Sequence, residues 1–197
     1  MDSAPDRMGF LLVSISSAGG PDSLRVAVWR KLRSLGAHYL QQSVCLLPAR
    51  EPIEQQVRRL LARVHTDGGT GQVLRIEVVD PSDQAALIEQ FNAARDGEYA
   101  EVVERTPAML DEIATETARG RAIYAEVEES EADLERFRSW LAKINARDYF
   151  QASGRAGAEA AVERCAEALA AFEAAALNTE ARDIPPVSTH RHADRKD

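Results

Sequence analysis

The stretch Leu24–Pro48, LRVAVWRKLRSLGAHYLQQSVCLLP, allows few folds. Leu24, Val28, Leu32 and Leu35 recur at helical spacing and form one apolar face. Trp29 widens that face, and Arg25, Arg30, Lys31 and Arg33 cover the rest. Gly36 stops the helix, because glycine takes positive φ without a steric penalty. HYLQQSVCLL then reads as two short strands closed by Pro48. A chain that turns from helix to paired strands within one stretch needs a sheet for both to rest on.

The flanking segments supply it. GFLLVSIS, from Gly9 to Ser16, is a short apolar run bounded by serine, glycine and proline, and its length argues strand. Asp22 or Ser23 is the expected cap of the helix that follows. A second helix is expected over Glu51–His65, with Pro52 in its first turn and Ile53, Val57, Leu60, Leu61 and Val64 on its apolar face. GQVLRIEVVD gives a last strand ending at Asp80. The order is β-α-β-β-α-β, a ferredoxin-like arrangement.

From Ser82 onward no strand is expected. Ser82 is the predicted cap of a helix that breaks near Asp96-Gly97, and Pro107 kinks or splits the next one. A further helix is predicted over 126–150 and an alanine-rich one over 158–177. The fold class is therefore α+β, with a ferredoxin-like N-terminal half followed by an all-helical C-terminal half. The expected domains are 9–80 and 82–177, with 178–197 a mobile tail that lacks apolar periodicity.

The formal net charge of −8 hides an uneven division. Residues 1–80 hold 10 Lys and Arg against 8 Asp and Glu, whereas residues 81–197 hold 14 against 24. No run approaches the ~20 apolar residues of a membrane span. MDSAPDRMGF lacks the basic start of a signal peptide, so the expected location is the cytoplasm. Cys45 and Cys165 each lie among apolar neighbours and read as small buried hydrophobes.

Several of these stretches carry a resemblance. L-R-x-x-x-W-R-x-L-x-x-L-G followed by Y-L-Q-Q-S-V is similar to the N-terminal domain of the chromate-resistance regulator ChrB. FNAARDGEYAEV, EESEADLERFRSWLAKINARDYF and the alanine-rich helix with Cys165 and Phe172 extend the likeness across roughly residues 9–177. More remotely, the first 80 residues resemble the Cas2 ribonuclease and the central domain of the phenylacetate repressor PaaX. The resemblance implies a regulator of chromate-resistance genes, one that binds promoter DNA, responds to chromate or a related oxyanion, and pairs as a homodimer. The further C-terminal domain usual in that family is not expected here.

The residues narrow the chemistry. Cas2 relatives place a metal-binding Asp at the end of the first strand. VSISS has no carboxylate there, and serine does not replace one as a ligand for a hard cation. No catalytic residue and no cofactor are expected. The DNA-contacting candidates are Arg25, Arg30, Lys31, Arg33, Arg58, Arg59 and Arg63, on two helices expected to pool a positive surface. Arg95, Glu98, Glu101, Glu104, Arg147 and Asp148 form either an ion-pair network between helices or an oxyanion pocket. His190 and His192 with Asp194 have no third ligand fixed by secondary structure, so no metal site is assigned. The alternative function is a protein-interaction module without DNA contact.

Overall fold

A computed structural model describes residues 9–119 and 124–183. The first half is built from β1 (Gly9–Ser16), α1 (Asp22–Ser34), β2 (His38–Gln41), β3 (Val44–Pro48), α2 (Glu51–Thr66) and β4 (Thr70–Glu77). The four strands form one antiparallel sheet in the order β2-β3-β1-β4. Three helices follow: α3 (Pro81–Ala118), α4 (Tyr124–Asn145) and α5 (Arg155–Asp183). The protein is thus α+β and mostly helical. Among the described residues no helix is long and apolar enough to cross a membrane.

Alternation along the strands divides the sheet's apolar side chains between two faces. Leu11, Val13 and Ile15 of β1 pack with Cys45 and Leu47 under Leu24, Val28 and Leu32 of α1 and Val57, Leu61 and Val64 of α2. Phe10 and Leu46 point the other way and are covered by Leu87 and Phe91 of α3, with Phe150 against them. The Phe10 and Phe91 rings stack at 6.2 Å, and Phe150 meets Phe91 edge-on at 5.3 Å. This cover does not reach the whole second face. Leu74, opposite Leu12 in the register, is 49% exposed.

The helix ends have identifiable causes. Gly36, at φ 72, donates to Arg33 O, and Ala37 N reaches back to Leu32 O, which closes α1 on its own last carbonyls. At the start of α1 the expected side-chain cap is not made: Pro21 is the cap, and Asp22 and Ser23 are already helical. Asp22 instead places negative charge in the first turn, where the helix dipole favours it. Ser82 is not a cap either. Asp80 Oδ1 accepts from both Ser82 N and Ser82 Oγ at 2.7 Å, so the cap lies two residues earlier. Those bonds hold the Asp80 carboxyl below its usual range.

The expected break at Asp96-Gly97 is absent, and α3 runs through it. Glycine weakens a helix by only about 1 kcal/mol, and contacts on either side hold this one. Asp96 accepts from Gly154 N at 2.6 Å, and Tyr99 is wholly buried. Pro107 also lies inside the continuous helix. Proline leaves the carbonyl four residues back without its N–H donor. That carbonyl belongs to Val103, and Thr106 Oγ1 donates to it at 3.1 Å. The helix expected over 126–150 ends at Asn145, because Asp148 turns back to accept from Ala152 N and the chain reverses at Gln151, φ 61. The last helix extends to Asp183 and takes in the first part of the expected tail. Residues 184–197, including His190, His192 and Asp194, lie outside the described residues.

Compactness divides the chain differently from secondary-structure content. One unit comprises Met1–Ala100 with Leu141–Ala156, and the other Glu101–Trp140 with Gly157–Asp197. The first unit holds the sheet, α1, α2, the first part of α3 and the turn after α4. The second is helical. Its buried residues include Val102, Met109, Val127, Leu134, Val162 and Phe172, and Cys165 Sγ lies 3.8 Å from Thr106 O. Both cysteines are buried and free.

Candidate functional site

At about 100° per residue, the outward side chains of α1 and α2 fall on three surfaces. Lys31 marks the seam between the helices, where its Nζ donates to Gln56 Oε1 at 2.6 Å. Arg30 on α1 and Arg59 and Arg63 on α2 are exposed on the outer layer beside that seam. Arg63 pairs with Asp67 at 3.4 Å, whereas no carboxylate partners Arg30 or Arg59 among the described residues. Arg58 lies on the opposite flank of α2, toward β4. There Glu54 binds it at 2.7 Å and also holds Arg75. Those hydrogen bonds, Arg58 first, keep the Glu54 carboxyl below its usual range.

Arg25 and Arg33 lie on the flank of α1 turned away from α2. Arg33 sits 5.1 Å from the ring centre of Trp29. Arg25, Trp29 and Arg30 line an open groove of about 870 Å³ whose other walls are the β1–α1 loop and the β2–β3 turn. The seven basic candidates therefore do not form one patch. Four gather on the outer layer, of which Arg30 also lines the groove with Arg25; Arg33 stacks on Trp29, and Arg58 stands apart with carboxylate company.

The second candidate set also divides. Arg95, Glu98, Arg147 and Asp148 come together in the first unit, at the C-terminal end of α1. Glu98 Oε2 takes Arg147 Nη2 at 3.0 Å and lies 3.3 Å from Arg95 Nε. Two guanidinium groups thus share one carboxylate. Burial depresses the Arg95 pKa against the pull of Glu98, and the Arg147 charge depresses it further, yet a guanidinium stays charged at neutral pH. Arg95 Nε is buried without a hydrogen-bond partner. A β-carbon on Gly36 would lie 3.0 Å from Arg147 Cβ and 3.1 Å from Arg95 Nη1, so both arginines crowd the carbonyl end of α1. Cations are favoured there. Glu101 and Glu104 belong to the second unit, where Glu101 accepts from Arg105 at 2.6 Å.

Tyr99, Asn145, Tyr149 and Arg50 join this cluster, and none of them stood among the candidate site residues read from the sequence. Tyr99 OH reaches Asn145 Oδ1 at 2.7 Å and Asp148 Oδ2 at 3.1 Å. Tyr149 OH donates to Leu35 O at 2.7 Å, and Arg50 Nη2 donates to Tyr149 O while stacking over its ring. Each contact joins residues far apart in the chain, which no local periodicity encodes.

The family model described as Protein ChrB, N-terminal, matches residues 25–182. The chain belongs to the ChrB N-terminal family. The match takes in most of α1 and most of α5, and so both compact units and both residue clusters. Membership of the ChrB N-terminal family suggests a regulator-like protein related to chromate resistance. No curated protein and no solved structure matches the chain.

Proposed function

We propose that this member of the ChrB N-terminal family is a non-catalytic, cytoplasmic regulator that binds promoter DNA through the outer layer of α1 and α2. One observation carries the reading: Arg30 and Arg59 are exposed beside Lys31 and Arg63, with no carboxylate on either among the described residues. Such cations hold phosphates by displacing counterions, which makes affinity fall steeply with salt. The antiparallel order β4-β1-β3-β2 under two helices supports a ferredoxin-like assignment of the first half. Exposed Leu74 on the second sheet face supports pairing into a homodimer through that face. The two arginines that share Glu98 support an oxyanion effector there, because a tetrahedral dianion accepts several guanidinium hydrogen bonds.

The test is a salt titration of affinity for the promoter of the protein's own gene cluster. Arg30→Gln and Arg59→Gln should each weaken binding and lower the slope of log K against log salt by about one unit. Arg58→Gln should leave the slope unchanged, since Glu54 already occupies that side chain. Chromate should shift wild-type affinity, and Arg147→Gln should remove the shift. Unchanged affinity and slope in folded Arg30→Gln and Arg59→Gln would take DNA off this surface and favour the protein-interaction module.

A further inference from the structure

The groove beside α1 shares one residue, Arg30, with the outer basic layer and none with the Glu98 cluster. Its volume, about 870 Å³, lies within the range of small-molecule sites. Trp29, 47% exposed, and Val26, 45% exposed, give it an apolar wall open to water. Arg33 stacks on the ring and fixes one side of it. Arg25 and Arg30 line the groove, and Asp22 is the one carboxylate among its lining residues, so the walls carry net positive charge. Ser16, Ser17, Gln42 and Ser43 add neutral hydrogen-bonding groups. Tyr39 and Cys45, which also line the groove, have pKa values pushed up to about 12, chiefly by burial, so they add no charge at neutral pH.

The groove is also preformed. The loop carrying Ser17 is tied by Gly20 N donating to Ser17 O at 3.1 Å. Its next residues are pressed against the α2–β4 turn: β-carbons on Gly19 and Gly68 would each lie 3.0 Å from the other's carbonyl oxygen. That approach leaves no room for a side chain on either residue, and both have positive φ. A wall held by backbone contacts does not need to be ordered when a ligand arrives.

A flat π surface, two arginines with no ion-pair partner among the described residues, and a row of hydroxyl and amide groups together select a ligand with a planar ring, a negative group and a polyol between them. We propose that this groove binds a nucleoside monophosphate, free or as the terminal unit of a single strand, with its base on Trp29 and its phosphate at Arg25 and Arg30. Stacking on an aromatic side chain beside basic residues is sequence-tolerant, so purine and pyrimidine nucleotides both bind. The site shares only Arg30 with the proposed promoter surface; Arg25 and Trp29 lie on the flank away from α2, so variants at those two residues test the groove separately.

The experiment uses the full chain carrying Trp140→Phe, so that Trp29 is the only fluorophore of its kind. AMP and UMP are titrated, with adenosine and inorganic phosphate as separate probes up to about 10 mM, which covers affinities weaker than millimolar. Saturable quenching by both nucleotides is expected, with adenosine and phosphate each at least about tenfold weaker. Calorimetry should show AMP binding weakened about tenfold by Arg25→Gln and lost in Trp29→Leu, with circular dichroism unchanged. Three results would overturn the proposal: no saturable change with either nucleotide, phosphate alone binding as well as AMP, or adenosine alone binding as well as AMP. Promoter affinity measured on the same Arg25→Gln protein should match wild type, which separates failure of this site from failure of the DNA reading.

Discussion

Tyr99 shows how much one side chain carries here. It is fully buried, and its hydroxyl lies between Asn145 Oδ1 and Asp148 Oδ2. Removing the hydroxyl takes away the one proton that these two part-buried oxygens share, whereas the ring still fills its place. Tyr99→Phe should therefore cost about 1 kcal/mol, seen as a lower urea midpoint with an unchanged slope. A midpoint equal to wild type would mean that water replaces the hydroxyl. The same scale explains why part of the candidate site was illegible. Arg95, Glu98, Arg147 and Asp148 were visible as residues of opposite charge, but not as two arginines competing for one carboxylate. That depends on where Gly36 ends α1, because the space beside it admits the Arg95 guanidinium and the Arg147 Cβ together.

Helix α3 makes a different point. The Thr106 hydroxyl stands in for the N–H that Pro107 lacks, and it serves the carbonyl of Val103. The two residues should be energetically coupled. Thr106→Val should destabilise the chain by about 1 kcal/mol with Pro107 present. In a Pro107→Ala background, where a backbone N–H is restored, most of that loss should disappear. A double-mutant cycle by urea denaturation reads the coupling directly, and additive effects would reject it. The elements of the first half were legible because each pairs a clear period with a clear stop: the Leu24–Leu35 stripe with Gly36, and the Ile53–Val64 stripe with Asp67 and Gly68. The long helices were less so. Gly97 and Pro107 are breakers by local preference, and only contacts formed on folding, such as Asp96 with Gly154, hold a helix across the first. The candidate DNA-contacting residues were found as a composition of the helices. Their separation onto three surfaces follows from which helix flank faces its neighbour, as Lys31 with Gln56 and Arg58 with Glu54 show.

At the scale of the molecule, the sheet is not closed by its own six elements. Phe10 and Leu46 depend on Leu87, Phe91 and Phe150 for cover. A fragment ending at residue 80 should bind an apolar-surface dye and self-associate in sedimentation, whereas the full chain should do so far less. A dye-free, monomeric fragment would show that the sheet shields that face unaided. The interleaving of the two units extends the point to synthesis. The first unit lacks Phe150 and Ala152 until the intervening segment has been translated. From Ala100 to Ala156 is about 56 residues, which at ~5–20 residues per second takes roughly 3–11 s. For that interval the nascent chain carries an apolar sheet face with part of its cover still inside the ribosome, so its exposure to aggregation and to chaperones is set by translation speed as well as by the folded contacts.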